Sequence, residues 1–472
     1  MVIATVVLYL GVCIAVGVYY ANKMEDVEDW AVAGRRLPWL IVLGTTAATL
    51  IGGGATVGSI ATGYAAGLAI AIATTGWHLQ TIFSGLYIAP RFRKLQFYTV
   101  ADFFGYRYGE FARLLVACLS LAFCVGVLGA QVVALGRIAE PILHIPFVWA
   151  AVIGVAVVTL YSFLGGYWAV TQTDMLQFVI LVFGFATAAV LGLRAVGGYD
   201  GLAAQLPAGY FHVFGQWSPL KLLGFWLALL LGETFAPIYV QRYYSAEGER
   251  QARWGTVGAG VFMLLFLPVT VATLGMVARV RFPNLEAPDQ AWAVLVNDLF
   301  PPALLGLFVA AALAAVMSSA AAVLGSAATI VLKDFYEKLV VAPEQRRLIA
   351  VARIATLVIA ALATVTAILV PNVIDLLLYS YNMWAPAVIL PVLVGLLWYR
   401  RAAVYPVIAS MVVGLGTAVA WLVLGEPFEL QGSVAGFFAA VATFVLCQPI
   451  LGQLPLKGKF LPQEPVAEAG EG

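Results

Sequence analysis

One carboxylate, Glu233, lies in the middle of a long apolar segment, between Gly232 and Pro237. A charge at the centre of a bilayer costs roughly 2.5–3.5 kcal/mol even on permissive scales, so such a residue is functional by default. Three roles fit this carboxylate. It could bind an amine of a substrate, it could carry a proton, or it could hold backbone that is not helical.

A second unusual segment contains three consecutive glycines, Gly52 to Gly54, in another apolar run. Each glycine weakens a helix by roughly 1 kcal/mol relative to alanine, and Pro237 disfavours helix just before it. Both segments are therefore predicted to break their helices. Irregular backbone at membrane depth is tolerated where it lines a cavity, and transporters bind ions and solutes there. The alternative for the glycines is close helix packing through the Gly54 and Gly58 pair.

The elements that carry these residues are predicted to be membrane helices. The chain of 472 residues is 63% hydrophobic and only 10% charged, whereas soluble proteins carry roughly 25% charged residues. Its apolar runs are continuous and long enough for the roughly 20 residues that span a bilayer as a helix. We predict thirteen spans, at about 2–21, 37–63, 67–89, 113–136, 146–165, 173–194, 220–241, 254–278, 303–332, 350–370, 373–398, 403–424 and 434–451.

The basic residues predict the orientation of these spans. Most of the 25 Lys and Arg residues fall in loops on one side when the N-terminus is placed outside. That side holds Lys23, Arg35, Arg36, Arg91, Arg93, Lys94, Arg107, Arg113, Arg242, Arg250, Arg253, Lys333, Lys338, Arg346, Arg347, Arg353, Arg400, Arg401, Lys457 and Lys459. Because cytoplasmic loops are enriched in Lys and Arg, we expect a multi-pass protein of the inner membrane with a periplasmic N-terminus and a cytoplasmic C-terminus.

The remaining composition disfavours several other classes of protein. The four cysteines lie in apolar runs without a CxxC motif, and the three histidines are far apart without an HExxH motif. We therefore expect no enzyme and no redox site. A net charge of +1 gives no sign of a nucleic-acid partner. A passive channel or a sensor remains an alternative to a transporter, although no loop is long enough for a signalling domain.

Three further segments resemble the sodium/solute symporter family. They are Gly165 to Asp174 followed by Gln177, Ala311 to Tyr336, and Ala33 to Arg36 before the first break. The resemblance implies an all-α integral membrane protein with a LeuT-type five-plus-five inverted repeat. It implies a first helix and loop at 1–36, a transport core at 37–398 with repeats at 37–194 and 220–398, two more helices at 399–456, and a cytoplasmic tail at 457–472. The breaks lie five spans apart, as an inverted repeat requires.

The resemblance also implies a sodium site. Its ligands would be the carbonyl oxygens of Ala48, Ile51 and Ala315 and the hydroxyls of Ser318 and Ser319. Alternatively, the two serines could bond only to their own helix. A second sodium site in some members would use Asp174 together with hydroxyls at positions that hold Ala321 and Ala322 here. We therefore expect one sodium ion per substrate, with Asp174 in a structural role or on the ion path.

The substrate pocket in this family lies beside the breaks. The pocket residues that the resemblance implies here are Gly52, Gly53, Thr75, Trp77, His78, Glu233, Pro237 and Asn382. His78 could equally be a packing residue.

Family members differ at positions that this chain fills with apolar residues. Ala55 and Gly76 stand where sugar transporters have polar groups, and Val127 stands at the carboxylate-binding arginine of the sialic acid transporter. Leu50 and Ala236 replace the tryptophans of choline transporters. We expect sodium-coupled symport of a small polar solute, an amino acid, an amine or a related metabolite, into the cell by alternating access. Proton coupling through Glu233 is the alternative.

Overall fold

A computed structural model describes residues 2–22, 25–340, 344–398 and 403–453. Every regular element within these ranges is helical, as the sequence predicts. Several residues used to predict the orientation, and the tail after residue 456, lie outside the described residues. The basic residues among them are Lys23, Arg400, Arg401, Lys457 and Lys459.

The first half of the chain forms ten α-helices. They are α1 (Val2–Ala21), α2 (Val27–Val32), α3 (Trp39–Leu50), α4 (Ser59–Ala66), α5 (Ala69–Phe83), α6 (Ala89–Leu95), α7 (Val100–Tyr108), α8 (Glu110–Leu143), α9 (Phe147–Ala195) and α10 (Gly198–Gln205). Two π-helical segments, Gly54–Gly58 and Ser84–Ile88, precede α4 and α6. Short 3₁₀-helices are formed by Ala33–Arg35 and Ala208–Phe211.

The second half forms ten more α-helices. They are α11 (Pro219–Gly232), α12 (Pro237–Ser245), α13 (Glu249–Arg281), α14 (Ala291–Leu299), α15 (Pro302–Ile330), α16 (Glu337–Leu339), α17 (Gln345–Leu369), α18 (Val373–Leu397), α19 (Val404–Val423) and α20 (Gly432–Leu451). A π-helical segment, Val331–Tyr336, joins α15 to α16, and short 3₁₀-helices are formed by Pro288–Gln290 and Pro427–Glu429.

Within the described residues, nine helices are long and apolar enough to cross a membrane, or eleven when each bent pair is one span. The predicted count of thirteen is not confirmed. One difference is α5, whose 15 residues continue through a π-helical segment into α6. The other is α9, a run of 49 residues that covers two predicted spans and has non-helical backbone at Gly166. At about 1.5 Å per residue, α9 is far longer than a bilayer is thick.

Both predicted helix breaks are confirmed. The chain bends by 55° between α3 and the segment that begins at Gly54, and by 42° between α11 and α12. The start of α3 lies beside the end of α12, because the Leu37 N–H donates to the Ser245 carbonyl at 3.1 Å and the Glu247 N–H donates to the Leu37 carbonyl at 2.9 Å. The two broken helices therefore run in opposite directions, with their breaks close together in the core.

The break inside α9 depends on a glycine. Gly166 has φ 54° and ψ −154°, a region that is essentially restricted to glycine. A Cβ atom there would lie 2.6 Å from Cδ1 of Trp30. We expect Gly166→Ala to lower the melting temperature of the purified protein by several degrees, because such backbone costs about 1–3 kcal/mol for other residues. Gly416→Ala is the matched control, since nothing lies within 4 Å of a Cβ at that helical position. Equal melting temperatures for the two variants would contradict this explanation of the kink.

Candidate functional site

A small cavity lies between the two helix breaks. Its volume is about 20 Å³, room for little more than one water molecule. The residues that line it come from both broken helices and from α5, α8, α15 and α18. They are Thr49, Leu50, Gly52, Gly54, Ala55, Trp77, Val127, Gln131, Glu233, Ile238, Ser319 and Leu377.

Glu233 is the carboxylate of this cavity, and two phenols hold it. The Tyr239 hydroxyl donates to Glu233 Oε2 at 2.5 Å, and the Tyr381 hydroxyl donates to Oε1 at 2.7 Å. The Trp77 indole N–H donates to the Tyr381 oxygen at 3.2 Å. Tyr239 lies on α12 and Tyr381 on α18, so Glu233 ties the two halves of its broken helix to each other and to α18. Of the three roles left open by the sequence, bracing of the break therefore has direct contacts to support it.

Gln131 of α8 is a polar residue of the cavity that the sequence analysis missed. Its side-chain oxygen accepts a hydrogen bond of 2.6 Å from the Gly53 N–H, at the break that follows α3. A Cβ on Gly52 would lie 2.5 Å from the Ser319 hydroxyl oxygen and 3.0 Å from the Gln131 side-chain oxygen. Glycine at position 52 therefore allows both polar side chains to reach the break. An amide in an otherwise apolar span was the available signal.

The other two glycines of this region serve helix packing. A Cβ on Gly54 would meet Leu377, and one on Gly58 would meet Ile374 at 2.7 Å, and both of these neighbours belong to α18. The two interpretations of the glycine segment therefore apply to different residues. Gly54 and Gly58 give close packing, whereas Gly52 and Gly53 form the break.

The predicted sodium ligands gather at the C-terminal end of α3. The Ser318 hydroxyl donates to the carbonyl oxygens of Ala48 and Ala315, both at 2.9 Å. The Ser319 hydroxyl donates to the Thr49 carbonyl at 2.7 Å. Ser318 thus bonds to its own helix, as the alternative interpretation holds, and also to α3. Thr49 was not among the predicted ligands.

Ile51, the remaining predicted ligand, caps α3 with φ −90° and ψ 44°. The carbonyls of the last turn of a helix lack intrahelical partners and carry partial negative charge, so they attract a cation. Hydroxyl groups can turn their lone pairs toward such an ion. The predicted ligands are carbonyl and hydroxyl oxygens, which are neutral, and the described residues contain no group of three or more His, Cys, Asp or Glu side chains that could hold a metal ion.

Asp174 lies next to this cluster in a buried ion pair. Its Oδ2 atom is 2.9 Å from Arg242 Nη2, and both side chains are fully buried. The prediction that Arg242 lies in a loop is wrong. The residue belongs to α12, where the helix continues past the predicted end of the span. Thr45 donates to Asp174, and Arg242 donates to Thr45 at 3.2 Å and also to Thr49. The pair therefore connects both broken helices with α9.

We expect Arg242→Ala to destabilise the protein strongly. The change leaves the Asp174 carboxylate buried without its partner, a situation that costs about 3–5 kcal/mol. The matched control is Arg281→Ala, which removes the 2.6 Å pair with Asp298 in a partly exposed position, where ion pairs contribute about 0–1 kcal/mol. Thermal unfolding of both purified variants measures the difference. A similar small effect of both changes would show that the buried pair contributes no more than a surface pair.

Four predicted pocket residues neither line the cavity nor bond to its wall. Thr75 lies at the surface of α5, where its hydroxyl accepts from the Trp226 indole at 2.9 Å. His78 is fully buried, and neither ring nitrogen has a partner within the described residues. Asn382 accepts from the Ser433 N–H at the start of α20. Pro237 is the first residue of α12, and it affects the break through the backbone, not through its side chain. Of the others, Gly52, Trp77 and Glu233 line the cavity, and Gly53 bonds to its wall.

The chain is similar to several known proteins. The sodium/glucose cotransporter of Vibrio parahaemolyticus is 27% identical over 450 residues, covering 86% of this chain and 82% of that protein. The sodium/proline symporter of Haemophilus influenzae is 26% identical over 481 residues, covering 94% and 93%, and the sodium/pantothenate symporter of the same species is 25% identical over 428 residues, covering 86% of each. These relatives are transporters.

Among solved structures, a Na⁺-coupled sialic acid symporter in a substrate-bound, outward-open state shares the fold. Its TM-score is 0.82 at 19% identity, with 95% of this chain and 98% of that chain covered. The model of the family described as the sodium:solute symporter family matches residues 30–414, which is most of the chain. The chain therefore belongs to the sodium:solute symporter family.

Proposed function

We propose that this protein couples inward sodium movement to the uptake of a small polar solute, an amino acid, an amine or a related metabolite, and is not an enzyme. The observation that carries the proposal is the contact between the Ser318 and Ser319 hydroxyls and the last carbonyls of α3. Ser319 also lines the cavity that contains Glu233. An ion at this cluster would therefore stabilise the break beside the solute, so that each ligand would favour binding of the other.

One sodium ion per solute is the proposed stoichiometry. Asp174 Oδ2 is engaged by Arg242 and Thr45. Its Oδ1 atom has no hydrogen-bond partner within the described residues, but the charge of the paired Arg242 opposes a second cation there. Ala321 and Ala322 are buried and offer no side-chain oxygen. These features support a structural role for Asp174. A measured ratio of two sodium ions per solute would contradict the single site.

Alternating access is the proposed mechanism of transport. A cavity of about 20 Å³ is too small for a metabolite, so binding and release require the surrounding helices to separate. The antiparallel broken helices support a core of two inverted repeats, 37–194 and 220–398, that moves around the site. In this scheme α1 precedes the core, and α19 and α20 follow it.

We also propose that the protein lies in the inner membrane, with a periplasmic N-terminus and a cytoplasmic C-terminus. The distribution of Lys and Arg supports this orientation even without Arg107, Arg113 and Arg242, which are buried. A reporter that is active only in the cytoplasm, fused after Lys457, is expected to be active, whereas the same reporter fused before Val2 is expected to be silent. The opposite result would reverse the orientation.

Uptake into proteoliposomes tests the coupling. Pooled radiolabelled metabolites should accumulate under an inward sodium gradient and not under an equal potassium gradient. Proton coupling is the second candidate, because Glu233 is buried in the cavity and its recorded partners are both phenols. Accumulation that follows an imposed proton gradient and ignores sodium would favour that alternative over the proposed one.

A further inference from the structure

The hydrogen-bond donors around the cavity are nearly all engaged. At the first break the Gly53 N–H donates to Gln131. At the second break the Thr234 N–H donates to the Leu231 carbonyl at 3.1 Å, and the Ala236 N–H donates to the Glu233 carbonyl at 2.9 Å.

The side chains of the cavity show the same pattern. The Trp77 indole donates to Tyr381, the Ser319 hydroxyl donates to the Thr49 carbonyl, and two phenols donate to Glu233. Two donors are exceptions within the described residues, because the structure gives no acceptor to the Gln131 amide nitrogen or to the Thr49 hydroxyl, which itself accepts from Arg242. A solute therefore meets acceptors, one amide donor and one hydroxyl donor, none of which carries a positive charge.

The charge of the cavity has one sign. Among the described residues that line it, Glu233 is ionisable and none is Lys or Arg. Arg242, on the same helix as Tyr239, is paired with Asp174. A carboxylate of a solute would be repelled by Glu233 and would find no cationic side chain in the wall. A protonated amine would supply the counter-charge that this carboxylate lacks, since a buried charge needs a partner.

Resting on the proposed function, we infer that the transported solute is a small protonated primary or secondary amine without a carboxylate. Its N–H groups donate to Glu233, replacing or sharing the bonds from Tyr239 and Tyr381. Its body packs against the apolar walls, which include Leu50, Ile238 and Leu377. A quaternary ammonium has no N–H to donate and cannot make this contact.

The test compares amino acids with the amines that remain when their carboxylate is removed. The probes are proline and pyrrolidine, leucine and isopentylamine, phenylalanine and phenethylamine, and histidine and histamine. Cyclopentanol serves as a neutral control, and N,N-dimethylpyrrolidinium as a quaternary one. Each is titrated against the purified full chain in sodium chloride and in potassium chloride while the melting temperature is recorded, since a ligand stabilises the state that it binds.

We expect at least one amine to raise the melting temperature in sodium while its amino acid does not. Cyclopentanol and the quaternary probe should have no effect or bind at least tenfold more weakly. The inference is overturned if amino acids bind as well as their amines, if the quaternary probe matches pyrrolidine, or if no amine acts on protein that still responds to sodium. In each of those cases the sodium response survives and the proposed function stands. If the melting temperature of the full chain shows no response to sodium, with or without a probe, that result would instead contradict the proposed function, and this inference with it.

Discussion

Replacing either Ser318 or Ser319 with alanine is expected to remove most of the sodium stimulation of uptake. Each change deletes one hydroxyl oxygen of α15. The two hydroxyls contact the carbonyls of Ala48 and Thr49 at the end of α3. A hydrogen bond to a charged group contributes about 1.5–3 kcal/mol. We expect each hydroxyl contact to sodium to contribute a similar amount, so the sodium affinity should fall about tenfold to over a hundredfold. The sodium concentration that gives half-maximal uptake, measured in proteoliposomes, should rise by that factor.

The control for this experiment lies on the same helix. Ser326 of α15 is also buried, and its hydroxyl donates to the Gln241 side chain at 2.5 Å, away from the cluster. Ser326→Ala should affect stability to a similar extent without changing the sodium dependence. Sodium stimulation that is unchanged in both Ser318→Ala and Ser319→Ala, in folded protein, would rule out the proposed ligands. An equal loss in Ser326→Ala would indicate general damage to α15.

The helix breaks could be predicted from sequence because their cause is local. Gly52 and Gly53 offer little helix propensity, and Pro237 cannot continue the hydrogen-bond pattern of the helix before it. Glu233 stood out for a similar reason, since a carboxylate inside an apolar run needs an explanation. These signals depend on a few adjacent residues. The structure places Gly52 and Glu233 in the wall of the cavity, Gly53 in a hydrogen bond to that wall, and Pro237 at the start of α12.

The partners of Glu233 could not be predicted in this way. Tyr381 lies 148 positions further along the chain. Gln131 reaches the first break from α8, 78 positions from Gly53. Tyrosine is not unusual in a membrane helix. The amide of Gln131 in an apolar span is a signal, but only tertiary packing shows which residue it contacts. The position of Arg242 was predicted wrongly for a related reason. A basic residue near a predicted helix end is typical of a loop, and its buried partner, Asp174, cannot be identified from the sequence.

The number of spans was hard to predict because irregular helices follow no simple length rule. In α9 a single glycine, Gly166, interrupts a helix of 49 residues. In the region after α5, a π-helical segment, Ser84–Ile88, continues the helical path without a clear end. Hydropathy reports how much apolar sequence is present, whereas the conformation at such points decides where one span stops and the next begins.

Glu233→Gln is expected to lower the affinity for the transported amine about tenfold to over a hundredfold, because a charge-assisted hydrogen bond contributes about 1.5–3 kcal/mol. The amide keeps the shape of the side chain, but only its oxygen can still accept a hydrogen bond. One of the two phenols, which lie 2.5 and 2.7 Å from the two carboxylate oxygens, therefore keeps its bond, and the other must turn to accept from the amide NH2 group. Binding of sodium alone should survive, since Ser318 and Ser319 are unchanged. Titration of the purified variant with the amine, at several pH values and with sodium present, measures both effects.

Tyr381→Phe separates the charge of Glu233 from its role as a brace. That variant loses one of the two phenol contacts and the acceptor of the Trp77 indole N–H, but it keeps the carboxylate. If Glu233 binds the amine, Tyr381→Phe should retain most of the affinity that Glu233→Gln loses. If Glu233 only holds the broken helix, both variants should lose stability and bind the solute with normal affinity in the folded fraction.

If Glu233 carries a proton, Glu233→Gln should abolish the pH dependence of uptake and leave the affinity nearly unchanged. Wild-type affinity at every pH in a stable Glu233→Gln protein would rule out the amine contact, because no other ionisable side chain among the described residues lines the cavity.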